Sequence, residues 1–295
     1  MADVPKTILA ATDFSKDAEN AAELARELCP IFGARLHTLH VAVILDDAYL
    51  EKEHRRHLEE VAAGAEKARR TVMEDRADAA TDVEVTPHIV RGIAPGETIV
   101  ETASNLGADL IAMGTHGRRG LSHLLLGSVA ERVVRTSEVP VLTVRSDAAV
   151  NPEGIRRILV PYDFSEASTL AAQNATAWAA ALGAELTLLH VVEPVVYPDF
   201  YSVEVLPDDL MKRLVSRSAS ALKSAAENLS GSVRNHTAVE VGRAADTIVK
   251  FADPERYDLV AMATRGLSGL EHVLLGSVAE SVLRRCGVPM LTIPG

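Results

Sequence analysis

The sequence predicts an α/β chain of two tandem doubly wound domains, each a five-stranded, mainly parallel sheet with helices on both faces. The chain is written twice: Ile8-Leu-Ala-Ala-Thr-Asp13-Phe-Ser returns as Ile158-Leu-Val-Pro-Tyr-Asp163-Phe-Ser, an offset of 158 − 8 = 150. Each half alternates apolar, strand-like runs with helical patterns, the arrangement of a parallel sheet covered on both faces. At 295 residues the chain also exceeds the usual size of one core, so two domains are the default.

Further segments keep the repeat. Gly33-Ala-Arg-Leu returns as Gly183-Ala-Glu-Leu, and Leu39-His-Val41 as Leu189-His-Val191. Leu125–Glu131 returns as Leu274–Glu280 at an offset of 149, so one net residue is lost between Gly242 and Thr247. A period this long marks a duplicated domain, because solenoid repeats run about 20–50 residues. The domains are placed at 1–146 and 155–295, joined by a linker over Asp147–Gly154 that carries Pro152 and Gly154.

In order, strands are expected near 7–11, 35–42, 83–90, 110–114 and 141–144, then 157–161, 185–192, 233–241, 259–263 and 290–293. Helices are expected near 17–29, 50–77, 94–106 and 128–136, then 166–182, 207–230, 244–252 and 277–286. Ser15 and Asp17 are start signals for the first helix and Gly33 a turn after it. Two segments differ between the halves. Residues 46–70 form a charged helical run that reads as a solvated face, whereas 193–209 is rich in proline and aromatic residues and reads as a pocket cover or an interface.

The stretch Gly-Thr-His-Gly-Arg-Arg-Gly-Leu-Ser-His-Leu-Leu-Leu-Gly-Ser, from Gly114 to Ser128, follows an apolar strand ending at Met113 and precedes a helix. A helix start presents unpaired N–H groups and a partial positive charge, so such a loop suits a phosphate. Gly127 and Gly276 would let the anion approach the backbone without a Cβ, and Ser128 and Ser277 would add hydroxyl donors. Equally, the glycines serve a sharp turn and the serines cap the helix. Asp13 and Asp163, at the carboxyl ends of the first strands, either face a ligand or cap the next helix.

Composition narrows the classes. The formal charge of −11 opposes a nucleic-acid partner, and it leaves any phosphate site to local donors with Mg2+. Cys29 and Cys286 lie far apart in helix-like segments, which fits a reducing cytoplasm better than a disulfide framework. No apolar run is long enough for a membrane span and no basic-then-apolar leader opens the chain, so a soluble cytoplasmic protein is expected.

The spacing of Gly114, Gly117, Gly127 and Ser128, inside a strand-loop-helix unit, closely resembles the nucleotide loop of ATP-binding members of the universal stress protein family. The second copy fills Gly266, Gly276 and Ser277 but has Ala263 for the first glycine. Position 11 is Ala where that family often has Pro, while Pro161 keeps it. The resemblance implies the adenine nucleotide alpha hydrolase-like fold. It also implies contacts from Asp13 and Asp163 to the nucleoside and from Val41 and Val191 to the adenine pocket. The expected contacts in the first half are Ala11, Asp13, Val41, Met113, Gly114, His116, Gly117, Gly127, Ser128 and Val129. In the second they are Pro161, Asp163, Val191, Ala263, Arg265, Gly266, Gly276, Ser277 and Val278. The cofactor that the resemblance implies is ATP or another adenine nucleotide, and His116 faces Arg265 across the repeat as a candidate phosphate contact.

No metal site and no catalytic residue is assigned. His37 and His40 face opposite sides of a strand, His54 and His57 lack a third ligand, and His123 and His272 orient or cap the loop. Arg118 and Arg119 are replaced by Leu267 and Ser268 in the second half, which argues against a dedicated phosphotransferase. The resemblance favours a regulatory stress-response module that binds the nucleotide with at most slow hydrolysis; an ATPase or phosphotransferase enzyme and a nucleotide-free protein-binding scaffold are the alternatives. Single-domain members of the family dimerise through the terminal strand, which implies that the two halves pair as an intramolecular pseudo-dimer; a homodimer of whole chains stays open. A fragment of residues 1–147 is therefore expected to self-associate, and sedimentation as a micromolar monomer would refute the pairing.

Overall fold

The computed structural model describes residues 4–43, 63–64, 66–74, 83–115, 126–148, 151, 153–194, 208–229, 233–266 and 275–295. These form two compact units, one made of Pro5–Ser146 and the other containing Asp147–Gly295.

The first unit runs β1 (Thr7–Ala11), α1 (Lys16–Phe32), β2 (Arg35–Val43), α2 (66–74), β3 (Val85–Gly92), α3 (Pro95–Leu106), β4 (Leu110–Gly114), α4 (Ser128–Thr136) and β5 (Val141–Val144). Its strands lie in the order β3-β2-β1-β4-β5, every pair parallel. The second unit runs β6 (Arg157–Pro161), α5 (Glu166–Leu182), β7 (Glu185–Val192), α6 (Asp208–Asn228), β8 (Asn235–Val241), α7 (Ala244–Phe251), β9 (Leu259–Ala263), α8 (Ser277–Arg285) and β10 (Met290–Ile293). Its order is β8-β7-β6-β9-β10, again all parallel. The fold is thus two tandem doubly wound α/β domains.

Strands β1 and β9 are buried at every position, as continuous apolar runs must be when helices cover both faces. The chain winds outwards from β1 to β3 and then returns to the far side of β1 with β4, so the order reverses between β1 and β4. Right-handed crossovers put α1 and α2 on one face and α3 and α4 on the other, opening a crevice at the carboxyl ends of β1 and β4. The same reversal lies between β6 and β9.

Helix α1 runs past the expected end at residue 29 to Phe32, with Pro30 inside it. Pro30 forfeits one amide bond, but Phe32 is 2% exposed and Gly33, at φ +62°, closes the helix through its N–H to the Cys29 carbonyl. Gly183 ends α5 in the same way at φ +65°, and nothing lies within 4 Å of a Cβ added there. Gly183→Ala therefore meets only the backbone penalty and should cost about 1–2 kcal/mol in urea unfolding. An unchanged midpoint would refute the left-handed cap.

At the amino ends of the strands, the Asp109 carboxylate accepts the Lys6 and Thr7 N–H groups at 2.8 and 2.9 Å. Asp258 repeats this with Arg156 N–H at 2.9 Å and Arg157 N–H at 2.8 Å, and adds Asn151 Nδ2 at 3.1 Å and the Arg157 guanidinium at 3.2 Å. Burial pushes the Asp258 pKa upward most strongly. The hydrogen bonds from Arg157, Arg156 and Asn151 together outweigh it and hold the carboxyl below its usual range.

Cys29 and Cys286 are buried, and burial pushes the Cys29 thiol up to about 11. That makes Cys29 a packing residue with little thiolate at neutral pH.

Candidate functional site

Each crevice is built from two turns. On one side β1 gives way to Thr12, whose N–H donates to the Leu39 carbonyl at 2.8 Å, and then to Asp13-Phe14-Ser15. Phe14 stands in the left-handed region at φ +65°, and Phe164 does so at φ +66° in the second unit. Such a conformation costs a bulky residue about 1–3 kcal/mol, so its recurrence at one place in both copies marks a site where the turn matters. Asp13 Oδ1 accepts the Ser15 N–H at 3.0 Å, and Asp163 Oδ1 accepts the Ser165 N–H at 3.0 Å and its hydroxyl at 2.6 Å. Between the two roles left open for these aspartates, the capping one falls to their neighbours: Ser15 caps α1 through Ala18 N–H and Ser165 caps α5 through Ser168 N–H.

On the other side stands the start of α4. Gly127 is its N-cap, at φ −63° and ψ 139°, and its N–H donates to the Thr115 carbonyl at 2.8 Å. Gly276 caps α8 at φ −61° and donates to Thr264 at 2.8 Å. The glycine amides are thus committed within the protein. The first bonds inside the helices run from Glu131 and Glu280 back to these glycines. The N–H groups of Ser128, Val129 and Ala130, and of Ser277, Val278 and Ala279, therefore have no acceptor among the described residues. Ser128 and Ser277 are the first helical residues, and neither helix has a side-chain cap bond.

The glycines have reasons of their own. A Cβ at Gly114 would lie 2.6 Å from Asp17 Cβ and 2.7 Å from the Ala18 nitrogen, so this residue lets α1 approach β4. Ala263 holds the matching place with its methyl buried. A Cβ at Gly266 would lie 2.8 Å from Asp163 Oδ2, and one at Gly276 would lie 3.3 Å from the Thr264 carbonyl oxygen.

Between the turns lies a cavity of about 420 Å³ in the first unit and about 300 Å³ in the second, within the range of small-molecule sites. Ala11, Asp13, Val41, Met113, Gly114, Gly127 and Val129 line the first, whereas Ser128 does not. Pro161, Asp163, Val191, Ala263, Arg265, Gly266, Gly276, Ser277 and Val278 all line the second. His116, Gly117, Arg118, Arg119, His123, Leu267, Ser268 and His272 lie outside the described residues, as do His54, His57 and residues 195–207.

Sequence reasoning missed several lining residues. Arg69 of α2 brings a cation to the first cavity, where Arg265 serves the second. Ile99 and Ile248 add apolar walls from α3 and α7. His40 and His190 also line the cavities, and each ring is hydrogen-bonded through Nδ1, to the Thr12 and Tyr162 carbonyls at 2.8 Å. Their sequence signal was the repeated Leu-His-Val.

His37, on the other side of β2 from His40, lies 2.9 Å from His88 of β3, Nδ1 to Nε2. Burial lowers both histidine pKa values, and His88 and Arg35 lower that of His37 further. Among the described residues no group of three His, Cys, Asp or Glu could hold a metal ion. No described helix is long and apolar enough to cross a membrane.

The chain is 36% identical over 141 residues to universal stress protein MJ0531 of Methanocaldococcus jannaschii, which covers 47% of this chain and 81% of that protein. It is 33% identical over 210 residues to universal stress protein Rv2005c of Mycobacterium tuberculosis, covering 67% of this chain and 65% of that relative. A solved universal stress protein from Archaeoglobus fulgidus shares the fold with a TM-score of 0.66 at 23% identity, over 98% of this chain and 96% of that one. The profile of the universal stress protein family matches residues 5–145 and again 154–294, so both halves carry it and the chain belongs to the universal stress protein family.

Proposed function

We propose that each unit binds ATP or a related adenine nucleotide and that the protein acts as a regulatory module of the cytoplasmic stress response, with hydrolysis at most slow. The observation that carries this is the pairing, in both copies, of an Asp-bearing strained turn with a helix start whose first three N–H groups have no acceptor among the described residues. The helix start offers donors and a partial positive charge to phosphates. Asp13 and Asp163 offer acceptors to ribose hydroxyls, and the apolar walls around Val41 and Ile99, or Val191 and Ile248, suit a flat base. Mg2+ would arrive with the phosphates, since the described residues supply no three-ligand cluster of their own.

Mass spectrometry of small molecules released from the purified full-length protein, followed by titration calorimetry with ATP and Mg2+, tests this. Two binding events are expected, and no binding at millimolar ATP would favour the nucleotide-free scaffold.

The cations give a sharper expectation. Arg69→Ala should weaken the first site and Arg265→Ala the second, each by about tenfold or more, the equivalent of one charge-assisted contact. If either variant titrates with both parent affinities, that arginine does not reach the phosphates. Gly276→Val should also weaken the second site through crowding alone, since φ −61° places no strain on a larger residue.

A further inference from the structure

We propose that His40 and His190 are positioning residues: each takes the strand carbonyl that would close the sheet ladder beside the cavity, leaving the backbone N–H of Val41 or Val191 as an open donor. Only the binding arm of the test below rests on the nucleotide function proposed above.

Backbone direction alternates along β2. Leu36 donates to Glu84 on the β3 side, while Leu39 accepts from Thr12 on the β1 side, so odd-numbered residues address β1. In a parallel ladder the bond after Thr12 N–H to Leu39 would run from Val41 N–H to the Thr12 carbonyl. That carbonyl accepts His40 Nδ1–H instead, at 2.8 Å. In the second unit Tyr162 N–H donates to Leu189 at 2.8 Å, and the Tyr162 carbonyl accepts His190 Nδ1–H at 2.8 Å. Because a carbonyl only accepts, each imidazole must carry a proton on Nδ1.

The register of β1 with β2 stops at Ala11 and Leu39, and that of β6 with β7 at Pro161 and Leu189. Val41 and Val191 N–H accordingly have no acceptor among the described residues, and both residues line their cavities. Unpaired backbone donors are uncommon away from water, so two at equivalent places call for a ligand acceptor. Each imidazole is held by the strained turn itself: the Phe14 ring lies 4.9 Å from His40 and the Phe164 ring 4.7 Å from His190. The left-handed Phe, the histidine and the open amide form one device. An amide N–H at the wall donates to a ring nitrogen with a lone pair and turns away one that carries hydrogen.

The test is amide hydrogen exchange by NMR on the full-length protein without nucleotide. It compares the parent with His40→Leu, His190→Leu, His40→Asn and His190→Asn. Leu fills the space but cannot donate, so the ladder closes; Asn restores an N–H close to the position of Nδ1. In the parent, Val41 and Val191 amides should exchange at least about tenfold faster than neighbouring ladder amides. The Leu variants should slow that exchange at their own valine by a similar factor, and the Asn variants should behave like the parent. In the binding arm, ATP affinity should fall up to about tenfold with Leu and recover with Asn.

Ladder-like protection of Val41 and Val191 in the parent, or unchanged exchange in the Leu variants, overturns the proposal whatever ATP does. The expected exchange pattern without ATP binding upholds the proposal and removes the nucleotide function. Should a Leu variant fail to fold, the parent exchange and the Asn variants decide the matter.

Discussion

Asp258→Ala should destabilise the second unit by about 3 kcal/mol, the cost of leaving the Arg156 and Arg157 N–H groups without their buried acceptor. For a unit of this size that lowers the melting temperature by about 6–12 °C. The Arg157 side chain adds less than its charge suggests, because it is 38% exposed and screened by water. Acid should expose the same carboxylate. Its folded pKa is lowered, so its contribution is fully present above the unfolded value near 3.9 and is lost as pH falls through the folded value. The stability gap between parent and Asp258→Asn should stay constant from about pH 7 to 5 and narrow below about pH 4. Urea titrations across that range check both claims; a gap that widened on acidification would contradict the direction of the shift.

Gly114→Ala should cost the first unit about 1–3 kcal/mol, because its methyl meets the backbone of α1 and the helix must move off the strand. The reverse change in the second unit, Ala263→Gly, should cost about 0.5–1 kcal/mol from backbone entropy and about 0.8 kcal/mol for the buried methyl, with no helix displaced. The contrast separates two explanations of one residue. If Gly114 matters only through ligand approach, Gly114→Ala will melt like the parent and lose binding alone. If packing sets it, thermal unfolding without any nucleotide will already show the loss.

The duplicated text made the fold legible, since β1, β4, β6 and β9 are continuous apolar runs whose burial on both faces leaves no ambiguity of period. Helix α1 was read too short because Pro30 is a stop signal in isolation, and only the burial of Phe32 overrides it. At the site, glycine spacing located the helix start, but it carried no sign that the Gly127 amide is held by the Thr115 carbonyl. Of the donors one to three residues later, Ser128 and Val129 were expected contacts, whereas Ala130 carries no distinctive side chain to announce it. Arg69 was invisible because α2 reaches the cavity through the fold, far from any motif. The left-handed Phe14 and Phe164 could not be inferred from residue type, since phenylalanine disfavours that region; the repeated Asp-Phe-Ser was the sole hint.

The aspartate clamps at the amino ends of the strands and the cavity-lining turns at the carboxyl ends stand at opposite poles of each sheet. After a gene segment doubles, such an arrangement lets selection work on one pole without disturbing the other. Asp109 and Asp258 hold the same office in both copies, whereas Ala11 and Thr12 of the first stand where the second has Pro161 and Tyr162, and the cavity cation is Arg69 on a helix in one and Arg265 beyond a strand in the other. A duplicated protein of this build can therefore drift toward two unlike cavities while its scaffold is inherited intact.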